Sequence, residues 1–186
     1  MPLYQNTSVD STKLIIGNYK VEYAPYSATT HTGWVNLGAG KVNSFGHTIT
    51  EYDVQAGNAP DPIEGISEET FNVDMEMIEY TPTTLSLIQG GAITVTQSTA
   101  STVIHGGGNA QKTAYALRLT NRRMISGATV QTVILVFKVT ANTGLQFTVK
   151  SDNDADPINV MPVTFTGKID GARTVGSQLY TITRDK

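Results

Sequence analysis

The chain contains no cysteine and a single tryptophan among its 186 residues. Without thiols, disulfides and thiolate zinc sites are excluded, and a small scaffold dependent on crosslinks is not expected. Long apolar runs are missing as well. The longest unbroken aliphatic and aromatic stretch, Val133 to Phe137, falls far short of the roughly 20 residues needed to cross a bilayer, so no membrane partner is expected. The N-terminal MPLYQNTSVDSTK lacks a basic start followed by an apolar stretch, which reads as a chain without a signal peptide, made in the cytoplasm. Basic residues are missing from one long segment. Between residues 42 and 111 there is no Lys or Arg, against nine acids (Glu51, Asp53, Asp61, Glu64, Glu68, Glu69, Asp74, Glu76, Glu79). The remaining residues hold seven acids and 13 bases, so a −9 segment and a +6 remainder sum to the formal −3. Segregation of this kind makes oppositely charged surfaces and argues against a general nucleic-acid binder, which carries a dominant basic footprint.

What is present is strand chemistry. Thr, Val, Ile, Tyr and Phe alternate with polar residues, Gly, Asn, Asp and Ser punctuate them, and helical periodicity is nearly absent. The spacing predicts strands at Leu14 to Tyr23, Gly33 to Leu37, Phe45 to Tyr52, Ile66 to Tyr80, Ala92 to Gln97, Thr113 to Thr120, Val130 to Thr140, Gly144 to Lys150, Val160 to Phe165 and Gln178 to Thr183. In the 144–150 strand, Leu145, Phe147 and Val149 are expected to point inward. One helix is predicted in TPTTLSLIQGG, residues 81 to 91: Thr81 can cap, Pro82 suits the first helical position and Gly90 a left-handed end. Two turns cannot stand alone in water, so Leu85 and Ile88 must pack it on a sheet. DVQAGNAPDPIEG, residues 53 to 65, reads as a long exposed loop. No linker or repeat divides residues 1 to 186, and a chain of this length buries roughly 70% of its unfolded surface. The expected fold is mainly β, one domain built as an antiparallel sandwich or partly open barrel with one short flanking helix.

Motifs for chemistry are weak. GGGNAQKT at 106–113 has Gln111 where a phosphate loop needs Gly, and a strand follows where a helix is required. Asp152, Asp154 and Asp156 have the alternate spacing of a calcium loop, but Pro157 replaces its turn glycine and Val163 its bidentate glutamate. His31, His47 and His105 have no close-spaced ligand partner. Glu68 and Glu69 point to opposite faces of one strand, the wrong geometry for shared acid and base work. No catalytic residue, cofactor or metal site is assigned. Tyr19, Tyr23 and Trp34 could make a sugar-stacking platform, the alternative reading being a carbohydrate-binding β-sandwich module.

The order of features resembles the major tail tube proteins of long-tailed bacteriophages, relatives in fold of the inner-tube proteins of contractile injection machines. The resemblance spans roughly residues 14 to 184. It is carried by TGWVNLGAGKV, by the long loop 53–65, by EETFNVDMEMIEYTPTTLSLIQGG and by PVTFTGKIDG followed by QLYTI. It implies a structural virion protein of the tail, not an enzyme, with six copies closing into a ring, rings stacking into a tube, other tail proteins as partners, and DNA passing through the lumen without specific binding. A tail terminator or a contractile inner tube belongs to the same class. The long loop of the family reaches an adjacent ring, which maps onto Asp53, Gln55, Asn58, Asp61 and Glu64. The strand ISEETFNVDMEMIEY sorts Phe71, Val73, Met75 and Met77 to one face and Glu68, Thr70, Asn72, Asp74 and Glu76 to the other. That second face is expected to line the lumen, its carboxylates without basic partners. The acidic loop is expected to meet Lys112, Arg118, Arg122 or Arg123 of a neighbour.

Overall fold

The computed structural model describes residues 19–54, 63–79, 81–88, 93–106, 112–125, 128–142, 146–149 and 159–185. They form β1 Lys20–Pro25, β2 Val35–Asn36, β3 Gly40–Val54, β4 Ile63–Met77, α1 Pro82–Ile88, β5 Ile93–Gln97, β6 Thr102–Gly106, β7 Tyr115–Ile125, β8 Ala128–Ala141, β9 Met161–Lys168 and β10 Tyr180–Arg184. One antiparallel sheet of eight strands runs β2-β1-β7-β8-β9-β4-β3, with β10 paired to β8 beyond the end of β9, while β5 and β6 form a separate hairpin. This is the mainly β, antiparallel architecture with one short helix that the strand spacing predicts.

The sheet curls because its alternation buries one face only. Phe71, Val73, Met75 and Met77 of β4, Met161, Val163 and Phe165 of β9, Ile134, Val136 and Val139 of β8, Leu117 and Leu119 of β7, and Val21 and Tyr23 of β1 share one core. Strand twist brings the two margins together. Tyr19, just ahead of β1, meets Phe45 of the far edge strand edge-on, with ring centroids 5.3 Å apart. Helix α1 lies against this core as predicted: the Thr84 N–H donates to Thr81 Oγ1 at 3.1 Å, and Leu85, Leu87 and Ile88 are buried. Thr84 Oγ1 also donates to the Leu37 carbonyl at 3.3 Å, tying the helix to the chain just after β2. Gly90, its expected end, lies outside the described residues.

Gly167 of β9 is the tightest point of the curl. A Cβ there would sit 2.5 Å from Val136 Cγ1 and 3.3 Å from the Phe71 carbonyl oxygen, and a β-branched neighbour has no free rotamer with which to withdraw. Gly167→Ala is expected to lower stability by about 1–3 kcal/mol, read as a fall in the urea midpoint with an unchanged slope.

Four sequence expectations are corrected. The Gly144 to Lys150 strand is absent among residues 146–149, where one bridge, Thr148 to Val160, is all that forms. Phe147 is 41% and Val149 79% exposed, so they do not point inward, and Leu145 lies outside the described residues. Their sequence alternates, but among the described residues no strand flanks them on both sides. β6 has no counterpart among the predicted strands; it pairs with β5 across the turn 98–101, which Ser98 closes by accepting the Ser101 N–H at 3.0 Å. β7 continues through Asn121, Arg122 and Arg123 to Ile125, because β8 offers a ladder along its whole length. The long loop is also shorter than composition suggested: β3 extends to Val54 and β4 begins at Ile63.

Candidate functional site

Two features built from β3 and β4 stand out, a polar face on the body of the sheet and an arm beyond it. On the body, the five residues expected to line a lumen do share a side, opposite the buried Phe71, Val73, Met75 and Met77. Cross-strand register places Ser44 and Thr164 on either side of Asp74, Gly46 and Thr166 beside Asn72, and Thr48 and Lys168 beside Thr70. Ser44 Oγ donates to Asp74 Oδ2 at 2.8 Å and Thr164 Oγ1 donates to Asp74 Oδ1 at 2.7 Å. Thr166 Oγ1 donates to Asn72 Oδ1 at 2.8 Å, Asn142 Nδ2 donates to Thr166 Oγ1 at 2.6 Å, and Lys112 Nζ donates to Asn142 Oδ1 at 3.0 Å. The hydroxyls fix the Asp74 carboxylate without adding positive charge.

Register does bring lysines to backbone positions near these carboxylates. Lys41 stands directly opposite Glu76 on β3, and Lys168 stands opposite Thr70, one diagonal step from Glu68, a separation of about 7–8 Å between opposed backbones. Lys112 closes the hydrogen-bonded row at its far side. Three acids and three lysines therefore share the neighbourhood. These partners come from strands more than 30 positions away in sequence for Lys41 and farther for Lys168, so a charge count along the chain could not show them.

Beyond Thr70, β9 ends and β4 keeps only β3 as a neighbour. Ile49–Val54 and 63–69 thus form a two-stranded arm projecting about 20 Å past the sheet at roughly 3.4 Å per residue. Asp53 and Glu64 face each other within it, whereas Gln55, Asn58 and Asp61 lie outside the described residues. A register shift between Thr50 and Glu51 leaves Ser67 as an extra residue, and its Oγ donates to the Thr50 carbonyl at 2.9 Å. Such a bulge adds twist. Tyr52 lies over Gly65, where a Cβ would come within 2.6 Å of its ring. Ile49, Tyr52 and Ile66 remain 48%, 47% and 53% exposed. An isolated two-stranded ribbon is at best marginally stable in water, and this one shows solvent its apolar side chains. At its root, His47 Nε2 lies 3.3 Å from Glu69 Oε2. A pocket of about 420 Å³ opens there between His47 and Glu69 on one side and Ile169, Val175, Leu179 and Tyr180 on the other.

The four expected basic residues do not form one set. Arg118 is held inside the subunit: its Nη2 lies 2.8 Å from Glu22 Oε2, and its guanidinium sits 4.4 Å from the Trp34 ring centroid. Burial works to raise the Glu22 carboxyl, but hydrogen bonds from Lys20 and Arg118 prevail and hold it below the usual carboxylate range. Arg122 Nε donates to Gln131 Oε1 at 2.7 Å, and Lys112 belongs to the polar face. Lys20, Arg118, Arg122 and Gln131 line a groove of about 460 Å³ in which Glu22 is the one acid. Arg123 points elsewhere in the alternation of β7, the side opposite Arg122. The three aromatic residues weighed for sugar stacking do not form a platform either. Tyr23 is buried, the Tyr19 hydroxyl is buried, and Arg118 covers the Trp34 ring. Among the described residues, no group of three His, Cys, Asp or Glu side chains converges to hold a metal.

No protein-family model matches the sequence, and no curated protein does. Solved structures to which the chain is similar include two from one contractile particle. A chain of the six-fold symmetrised cryo-EM structure of the anti-feeding prophage baseplate aligns over 94% of this chain and 97% of its own length, with 10% identity and a TM-score of 0.45. A chain of the anti-feeding prophage tube-terminating cap aligns over 97% of this chain and 100% of its own, with 10% identity and a TM-score of 0.44. Likenesses this remote leave the functional assignment to the chain's own residues and geometry.

Proposed function

We propose that this chain is a structural subunit of a phage-type tail tube, non-enzymatic, acting by self-association of copies into stacked rings around a DNA channel. The observation that carries the reading is the β3–β4 arm, an apolar-bearing ribbon extended beyond its own sheet at the position where the sequence resemblance puts an inter-ring contact. A ribbon of this kind gains its missing cover from a neighbour. The arm is acidic, with Glu51, Asp53, Glu64, Glu68 and Glu69 and no base, while the groove formed by Lys20, Arg118 and Arg122 is net basic. Head-to-tail contacts between unlike surfaces close into rings or propagate as filaments. A tube uses both.

The polar face of β3, β4 and β9 suits the channel wall in this reading. A wall of free cations would neutralise phosphates and release counterions, and nonspecific contacts of that sort reach dissociation constants of roughly 10⁻⁴ to 10⁻⁶ M, about 5 to 8 kcal/mol per site. Repeated along many rings, that attraction would arrest a genome in transit. Here each lysine stands beside an acid or an amide: Lys41 opposite Glu76, Lys168 one diagonal step from Glu68, and Lys112 on Asn142. Balance, rather than an acid-only surface, keeps the face from gripping.

Electron microscopy of the purified chain at several concentrations tests the assembly. Rings or tubes are expected, and a protein that stays monomeric at every concentration and binds a glycan would sink the reading in favour of a carbohydrate module. Replacing Asp74 and Glu76 by Lys tests the wall. Tubes still form, but DNA delivery slows or stops; normal delivery from tubes shown to contain the variant removes this face from the channel.

A further inference from the structure

The segment 26–34 joins β1 to β2, and residues 169–179 join β9 to β10. They meet over Phe137 of β8 in a cluster that none of the assembly features uses. Asp170, 1% exposed, is its centre. Tyr26 Oη donates to Asp170 Oδ1 at 2.7 Å, the Ala172 N–H donates to the same oxygen at 3.2 Å, and Arg173 Nε donates to Asp170 Oδ2 at 3.1 Å. The Arg173 guanidinium lies 3.7 Å from the Phe137 ring centroid. Its Nη2 stands 2.9 Å from His31 Nε2. The His31 ring stacks on Phe137 at 6.3 Å, tilts against Tyr26 at 6.4 Å and meets Trp34 edge-on at 6.1 Å.

The direction of one hydrogen bond follows from chemistry alone. A guanidinium has five N–H donors and no acceptor, and it does not lose its proton in a protein. His31 Nε2 must therefore present a lone pair, and the ring proton sits on Nδ1, which is buried against the Pro25 carbonyl in a contact too poor to count as a hydrogen bond. A proton added at Nε2 would turn this acceptor into a donor facing a donor and set a second cation beside Arg173. The Asp170 charge favours the added proton, but less than burial and Arg173 oppose it. Asp170 already accepts from Tyr26, Ala172 and Arg173; Lys138 of β8 lies 5.5 Å from the Tyr26 ring, and Arg118 of β7, paired with Glu22 of β1, lies behind Trp34. Among the described residues, the cations around the ring are Arg173, Lys138 and Arg118, and the acids are Asp170 and Glu22.

We propose that the His31–Arg173 contact is an acid-sensitive latch, closed while His31 is neutral and opened by one proton, which frees the part of segment 26–34 around His31 from the β9–β10 connection while Tyr26 stays on Asp170. Burial first, and the Arg173 charge second, hold the His31 pKa below its ordinary value. Folding thus weakens His31 as a base relative to the unfolded chain, so the latch contributes stability that is present above about pH 6.5 and is lost as pH falls through the depressed folded value. The latch has neighbours of consequence: Ile169, Val175, Gly176, Gln178 and Leu179 of the connection it holds also wall the pocket at the root of the arm.

The chain carries its own reporter, because its single tryptophan touches His31. Trp34 emission, followed from about pH 8 to about pH 5, is expected to show a one-proton transition with its midpoint below about 6.5, while far-ultraviolet circular dichroism stays constant. In His31→Gln the amide oxygen still accepts from Arg173 but cannot titrate, and the transition should vanish. Nitrogen NMR of the wild-type imidazoles should show Nε2 of His31 unprotonated at neutral pH. A transition that persists unchanged in His31→Gln, or a wild-type His31 that titrates at or above the ordinary histidine value, would overturn the proposal. If His31→Gln fails to fold, the wild-type nitrogen spectra decide on their own.

Discussion

Joining Thr48 to Thr70 through a short Asn-Gly turn, so that the arm is cut away, is expected to leave a folded subunit that no longer polymerises. Every β4–β9 pair and all the buried β4 side chains from Phe71 to Met77 lie on the body side of the cut. The fold therefore loses little. Assembly loses the cover of Ile49, Tyr52 and Ile66, each about half exposed in the lone subunit. Completing their burial is worth about 2–4 kcal/mol in total at roughly 1.5–3 kcal/mol per fully buried side chain, or roughly 30- to 900-fold in association constant for each contact. Sedimentation and electron microscopy should find monomers or isolated rings with unchanged circular dichroism. Tubes of normal length from the shortened chain would show that the arm does not join rings.

The largest effect on stability is expected at Phe71. It is buried on β4, stacks on Phe45 at 6.2 Å and packs against Tyr180 at 4.6 Å, so one ring locks an edge strand, the middle of the sheet and the final strand together. Phe71→Ala removes that ring where Gly167 and Val136 are already at closest approach and cannot collapse further. A loss of about 3–5 kcal/mol follows, a large share of the roughly 5–15 kcal/mol that separates folded from unfolded domains. Denaturant titration should show it, with Glu68→Ala, exposed on the same strand, staying within about 0.5 kcal/mol of wild type. Equal midpoints for the two variants would mean that Phe71 is not a keystone.

How much of this the sequence shows depends on whether the signal is local. The β4 alternation and the capped helix at Thr81 are visible in single windows, because side-chain sorting and capping act over two to four residues. The arm was half visible. Pro60 and Pro62 marked the middle of 53–65 as unable to join a ladder, and their weight hid the pairing of Glu51 to Val54 with Ile63 to Ile66 on either side. Residues 146–149 belong to a well-alternating stretch and still form no strand, since a period of two states a capacity to pair and not the presence of a partner. The lysines that face the polar residues could not be found at all by local reading. Lys41 stands opposite Glu76 two residues ahead of a bulge at Asn43, and Lys168 arrives from β9, so both depend on register, which only the assembled sheet defines. The His31 cluster has the same character: His31, Phe137 and Arg173 are far apart in the chain and carry no shared spacing.

In the proposed assembly, the bare ribbon also sets the kinetics of growth. A subunit whose outermost strands become well supported only on contact cannot present a finished docking surface to another free subunit, so two free subunits meet at a disadvantage that a free subunit and an existing end do not share. Polymerisation of this chain should then begin after a lag and rise steeply with concentration. Pre-formed ends should abolish the lag, which makes the length of the filament a matter of when initiation is permitted rather than of how strongly the units attract.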